Sequence, residues 1–170
     1  MISQESIIGK KGENEGMALK LDYKAEVFVR TDDMDERTWL DYRRKGIGGS
    51  DAAAVIGISP YKTARDVYFE KIGREPDNKN EDGWVAMEVG KRLEDLVAAI
   101  FAKKTGFRIW QEKGMYRHPL YPFMLADVDY FFEMSDGTVG ILECKTANPY
   151  AKEKWENDAV PYHYELQCRQ

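Results

Sequence analysis

A chain of 170 residues, 43% hydrophobic and 32% charged, has the size and composition of one globular domain with its own core. No apolar run reaches the roughly 20 residues that a membrane-spanning helix needs. The two cysteines have neither a disulfide-framework nor a zinc spacing, and the polar segment Met1–Gly16 is no secretory signal. A net charge of −5 excludes a uniformly basic polyanion binder, so any such partner would have to meet Lys and Arg gathered on one face.

Residues 1–22 read as a flexible, glycine-dotted leader, with a single domain from 23 to 170. Ala25–Arg30 is a short strand candidate. Asp35–Lys45 is a helix carrying Trp39, Leu40 and Tyr42. It runs into a glycine-rich loop, Gly46-Ile47-Gly48-Gly49-Ser50-Asp51, whose Ser50 or Asp51 caps a short helix over Ala52–Ile56 that stops at Gly57. Ser59-Pro60-Tyr61 is a turn. Thr63 and Asp66 form a capping box for a helix to Ile72, ended by Gly73, and a polar loop follows from Glu75 to Gly83.

The longest helix is expected over Val85–Thr105. Val89, Leu93, Leu96, Val97, Ile100 and Phe101 recur at three- and four-residue spacing and predict a core-facing stripe. Glu94 lies at the edge of that stripe, beside Gly90 and Phe101. Strands are expected at Phe107–Gln111, Met115–Arg117, Phe123–Met134 and Val139–Thr146, with helices at Tyr150–Asn157 and after Pro161. Helices, then a strand cluster, then helices predict an α/β or α+β sandwich. Trp39, Tyr68, Phe69 and Phe101 are expected in the core. Trp84 and Trp110 are edge aromatics that pack or stack on bases. His118 and His163 are isolated.

The chemistry is concentrated at the end of the strand cluster. Alternation along Val139–Lys145 puts Glu143 and Lys145 on one face, with Cys144 on the other as a small core residue. An acid and an amine on an otherwise apolar strand need a partner or a metal. Asp127 and Asp129 interrupt the preceding strand. A three-residue loop, Ser135-Asp136-Gly137, pairs Met134 with Thr138 and sets Asp129 opposite Glu143. A two-residue loop, Asp136-Gly137, shifts the register by one and turns Asp129 away. Facing carboxylates with open water positions suit Mg²⁺, with Mn²⁺ as a substitute. Glu94 and the backbone carbonyl of Cys144 are further candidate ligands.

Five segments in this order resemble the lambda-exonuclease-like, YqaJ-type viral recombinases of the PD-(D/E)XK nuclease superfamily. They are Arg43-Arg44-Lys45-Gly46-Ile47-Gly48-Gly49-Ser50-Asp51-Ala52, Gly90 with Glu94, Ala126-Asp127-Val128-Asp129, Glu143-Cys144-Lys145, and Tyr164-Glu165-Leu166-Gln167. The resemblance runs from about Glu36 to Gln170. It implies a restriction-endonuclease-like core, a mixed central β-sheet flanked by α-helices. It also implies Asp129, Glu143 and Glu94 as metal ligands, Lys145 as catalytic lysine, Gln167 beside the site, and Arg44 with Ser50 holding a 5′-terminal phosphate.

The implied activity is Mg²⁺-dependent hydrolysis of duplex DNA from a 5′ end. The implied partners are DNA ends, a phage single-strand annealing protein and further copies of the chain, in the cytoplasm of a bacterial or phage-infected cell. Family members continue beyond the position of Gln170, so the domain is expected to be truncated at its C-terminal end. The competing readings are a catalytically impaired DNA-end-binding or assembly module of the same fold, and a metal-dependent transferase. The transferase reading leaves Glu143-Cys144-Lys145 unexplained.

Overall fold

A computed structural model describes residues 24–74, 83–147 and 149–170. The expected leader and most of the polar loop after Glu75 lie outside them. Strand β1 is Glu26–Arg30, followed by helix α1 (Glu36–Arg43), β2 (Ile47–Gly48), α2 (Gly49–Val55), α3 (Ala64–Lys71) and α4 (Gly83–Thr105). Then come β3 (Arg108–Trp110), β4 (Gly114–Arg117), β5 (Met124–Asp127), β6 (Tyr130–Glu133), β7 (Val139–Leu142), a 3₁₀ segment (Pro149–Asp158) and α5 (Tyr162–Arg169).

Local chemistry explains the helix starts. Asp35 accepts a hydrogen bond from Thr38 N at 3.0 Å and caps α1. Thr63 and Asp66 close a reciprocal capping box on α3. At α2 the expected cap takes another form. Gly48 is the N-cap residue, and the Asp51 carboxylate reaches back to accept from its N–H at 3.0 Å.

The fold is mixed α/β, with helices flanking the strands, and the strands form two hydrogen-bonded ladders. One has the order β1-β4-β5-β2, antiparallel except for the parallel pair β2–β5; the other is the antiparallel set β3-β6-β7. The break between them corrects the expected continuous strand Phe123–Met134. The ladder stops at Asp127 and restarts at Tyr130, so Val128-Asp129 carries the chain from one ladder to the other. β7 likewise ends at Leu142 rather than Thr146, which frees the backbone of Glu143–Lys145 from pairing. The glycine-rich loop holds a short strand, because Ile47 and Gly48 pair with Met124 and Leu125.

The main core lies between α4 and the second ladder. Ala98, Phe101, Tyr130, Phe132, Leu142 and Cys144 are buried there, with Val97, Phe107, Ile109 and Met134 against them. Phe107 stacks on Phe132 at 5.7 Å, and Phe101 meets Phe132 edge-on at 5.4 Å. Burying each large side chain contributes about 1.5–3 kcal/mol. Only part of the expected α4 stripe takes part, since Val89, Leu96 and Ile100 are 47%, 55% and 42% exposed. The second ladder offers α4 a narrow face, which buries Ala98 and Phe101 fully and Val97 in part. Tyr68 also departs from its expected core position: it lies outward on α3, where Val67 takes the buried place.

A second packing centre joins α2, α3 and α5. Ala53, Ala54 and Val67 are buried there. A Cβ on Gly49 would stand 3.0 Å from the Gln167 carbonyl oxygen, so the absence of a side chain lets α2 approach α5 this closely.

Candidate active site

The hairpin that builds the site has the longer of the two possible loops. Met134 N donates to Thr138 O at 2.9 Å, Gly137 N donates to Met134 O at 2.9 Å, and Gly137 takes φ +81°. The ladder then runs Glu133–Val139, Phe132–Gly140, Phe131–Ile141 and Tyr130–Leu142. Its next step sets Asp129 opposite Glu143, just beyond the last bonded pair. Because the strands have parted there, Asp129 Oδ2 accepts from Cys144 N at 2.7 Å. A side chain thus takes the place of a ladder bond and fixes the Glu143–Lys145 segment.

Glu143 is the centre of the polar contacts. Its Oε1 accepts from Lys145 Nζ at 2.6 Å and from Gln167 Nε2 at 2.5 Å. Three segments far apart in sequence therefore converge on Asp129, Glu143, Lys145 and Gln167. Glu94 enters from α4. The helix comes close at Gly90, where a Cβ would lie 3.4 Å from Thr146 Oγ1, and Glu94 follows one turn later.

The electrostatics record this convergence. Burial, then the charges of Asp129 and Glu143, push the Glu94 carboxyl above its ordinary value. Burial also raises Glu143, with Lys145 opposing and Asp129 reinforcing the shift. The buried Cys144 thiol is pushed up to about 12, first by desolvation and then by Asp129, Glu94 and Glu143. Its side of the segment belongs to the core, as the alternation predicts.

Among the described residues, no three Asp, Glu, His or Cys side chains are drawn into a ready-made metal cage. The carboxylates of Asp129, Glu143 and Glu94 nevertheless suit a hard divalent cation. All three are oxygen donors, and burial, reinforced by neighbouring acids, raises the carboxyls of Glu94 and Glu143. A cation would compete with Lys145 and Gln167 for Glu143 Oε1.

Next to this centre lies a pocket lined by Arg43, Ser50, Asp127, Ile141, Glu143 and Gln167. Arg43 Nη2 donates to Ser50 Oγ at 2.5 Å, and its guanidinium lies 5.3 Å from the Trp39 ring centre. Trp39 and Arg43 are four residues apart on α1 and share a helix face. Asp127 stands at the same wall. Desolvation raises its carboxyl, while the charge of Arg43 and a hydrogen bond with Trp39 pull it down. Arg44 lies elsewhere, paired with Asp41 at 2.7 Å on the exposed side of α1 and outside the pocket lining. The structure thus brings Ser50 to Arg43 rather than to Arg44. The four-residue step from Trp39 is the sequence signal that distinguishes these adjacent arginines.

Behind the pocket is a feature that motif reading missed. Asp51 is 0% exposed and lies 2.6 Å from Lys62 Nζ, 2.7 Å from Lys71 Nζ and 3.6 Å from Arg43 Nη2. Burial alone would raise its carboxyl. Hydrogen bonds from Lys62 and Lys71 and the charge of Arg43 outweigh that and hold it far below the usual carboxylate range. Lys71 also donates to the Arg43 carbonyl oxygen at 3.1 Å, so this network holds both the backbone and the head of Arg43.

The family model described as "YqaJ-like viral recombinase domain" matches residues 38–170. This chain belongs to that family. It is 38% identical over 146 residues to the uncharacterized protein YqaJ of Bacillus subtilis (strain 168), an alignment covering 86% of this chain and 44% of that protein. A solved structure of LHK-Exo in complex with dAMP superposes with a TM-score of 0.58 at 20% identity, covering 77% of this chain and 64% of that one. The fold of this YqaJ-like domain is therefore shared with LHK-Exo. The domain spans less than half the length of the Bacillus protein and under two thirds of LHK-Exo. Among the described residues, no helix is long and apolar enough to cross a membrane.

Proposed function

We propose that this YqaJ-like domain is a divalent-metal-dependent deoxyribonuclease that hydrolyses phosphodiester bonds of duplex DNA from a 5′ end. The observation carrying this reading is the Glu143 carboxylate, held between Lys145 and Gln167 and opposite Asp129. Family membership and the fold shared with LHK-Exo support it.

In this reading Asp129, Glu143, Glu94 and the Cys144 carbonyl hold Mg²⁺, or Mn²⁺ in its place. The ion, when bound, polarises a phosphoryl oxygen and favours ionisation of the attacking water. The chain's own groups do the rest. Lys145 orients the water and offsets the negative charge that develops on the phosphoryl group. Gln167 keeps Glu143 turned towards Lys145. Asp129 fixes the backbone of Cys144, which sets the Glu143–Lys145 geometry before substrate arrives. Arg43 and Ser50 form the seat for a 5′-terminal phosphate, because a guanidinium beside a hydroxyl grips phosphate oxygens. Arg44, the other arginine of the motif, is the competing candidate for that seat. DNA ends, a phage annealing protein and further copies of the chain are the proposed partners, in a bacterial or phage-infected cytoplasm.

The test is end-labelled linear duplex DNA with Mg²⁺, Mn²⁺ or EDTA. Metal-dependent release of nucleotides, lost in Asp129→Ala and Lys145→Ala, supports the nuclease. Binding of ends without cleavage in either metal would instead support the impaired end-binding module.

A further inference from the structure

Tyr61 is an exposed aromatic residue tied down by contacts at both its backbone and its hydroxyl. It is 73% exposed, in the turn between α2 and α3. Its backbone is fixed by Ser59, whose Oγ accepts from Tyr61 N at 3.2 Å and Lys62 N at 3.4 Å. Its hydroxyl pairs with the Tyr164 hydroxyl at 2.8 Å, and its ring meets His163 edge-on at 5.8 Å. A side chain pinned at both ends has already lost the rotamer freedom that an exposed ring normally keeps.

The surroundings locate this ring relative to the chemistry. Tyr164 is stacked on Trp155 at 5.6 Å, and Lys145 Nζ lies 5.6 Å from the Tyr164 ring centre. Lys145, Tyr164 and Tyr61 are thus linked in series, the two tyrosines through their hydroxyls and through the His163 ring that touches both. Tyr164 is occupied by Trp155 and Lys145, whereas Tyr61 still offers its own surface to solvent.

We propose that Tyr61 is a stacking shelf for a nucleobase of the strand end whose backbone enters the site at Lys145. An aromatic face accepts any base, so the shelf grips a nucleotide without reading sequence. This rests on the nuclease reading above and adds a subsite for the base, separate from the groups that handle phosphate.

The experiment measures binding to a labelled single-stranded oligonucleotide in EDTA at fixed salt, beside the same backbone carrying abasic positions. Stacking of one base predicts that Tyr61→Leu weakens binding to the normal strand by about fivefold or more and leaves binding to the abasic strand unchanged. Tyr61→Trp, which keeps an aromatic face, retains the preference for bases. A role confined to packing would weaken both probes equally, and that result overturns the shelf. Thermal melting of both variants identifies any general loss of fold. Wild-type protein that binds and cuts DNA while Tyr61→Leu matches it on both probes defeats the shelf alone. Wild-type protein that neither binds these strands nor cuts duplex DNA in Mg²⁺ defeats the shelf and the nuclease reading together.

Discussion

Asp51→Asn is the most informative perturbation of stability, because it removes one charge while keeping nearly the same shape. The residue is 0% exposed, so little solvent screening discounts its interactions. Removing one member of a buried charge network costs about 3–5 kcal/mol, mostly for the charges left unpaired. The partners fare unequally. Lys62 keeps Glu70 at 3.0 Å, and Lys71 keeps the Arg43 carbonyl at 3.1 Å, but Lys71 loses its counter-charge. The loss should therefore fall towards the lower end, about 3 kcal/mol. For a chain of this length that lowers Tm by roughly 6–12 °C. The pH dependence gives a second check. The folded carboxyl lies below its unfolded value, so its stabilisation is complete above the unfolded pKa of about 4 and is lost as pH falls below it. Urea melts at pH 7 and at about pH 3 should show a wild-type advantage that shrinks on acidification. A neutral-pH difference under about 1 kcal/mol, or a gap that widens in acid, would refute the network's role.

Lys145→Ala should lower cleavage of duplex DNA by roughly 10²–10³-fold with little change in Tm, measured by nucleotide release in Mg²⁺. Arg43→Ala should reduce the preference for a 5′-phosphorylated over a 5′-hydroxyl end by roughly tenfold or more, while Arg44→Ala leaves it near wild type; the opposite ranking would move the seat to Arg44. Gly137→Val should destabilise the hairpin by about 1–2 kcal/mol in urea, because φ +81° is costly for a β-branched residue.

The hydrophobic and turn patterns carried much of the fold. Thr63 with Asp66, the glycine stops and the alternation of Val139–Lys145 were legible because each is set by neighbours in sequence. The register of β6 on β7 depended on one choice of loop, and Gly137 at φ +81° fits the three-residue form. The break at Val128-Asp129 was not legible. An apolar run reads as one strand whether or not its two halves pair in the same ladder, and only the partners β4 and β7 decide that. The α4 stripe was over-read for a similar reason: periodicity identifies an apolar face but not how much of it a partner covers. Arg43 was overshadowed by Arg44 because adjacent arginines look alike until the helix phase set by Trp39 separates them.

The break between the ladders also explains where the site stands. A continuous strand would spend the backbone of Asp129 and Cys144 on ladder bonds. Parting the strands leaves Cys144 N to the Asp129 carboxylate and releases the Glu143–Lys145 segment towards α5. The same opening exposes the wall shared with Arg43 and Ser50. The acids Asp127 and Glu143 and the single guanidinium of Arg43 thus share one pocket, in a chain whose net charge is −5. Lys62 and Lys71 pair with Asp51 and are absent from the pocket lining. What faces the pocket is one guanidinium, Arg43, held beside Ser50. Binding of DNA ends should accordingly be governed by a few phosphate contacts and show a shallow salt dependence. Titration of end binding against salt in EDTA checks this, and a slope implying many neutralised phosphates would require a basic surface beyond Arg43.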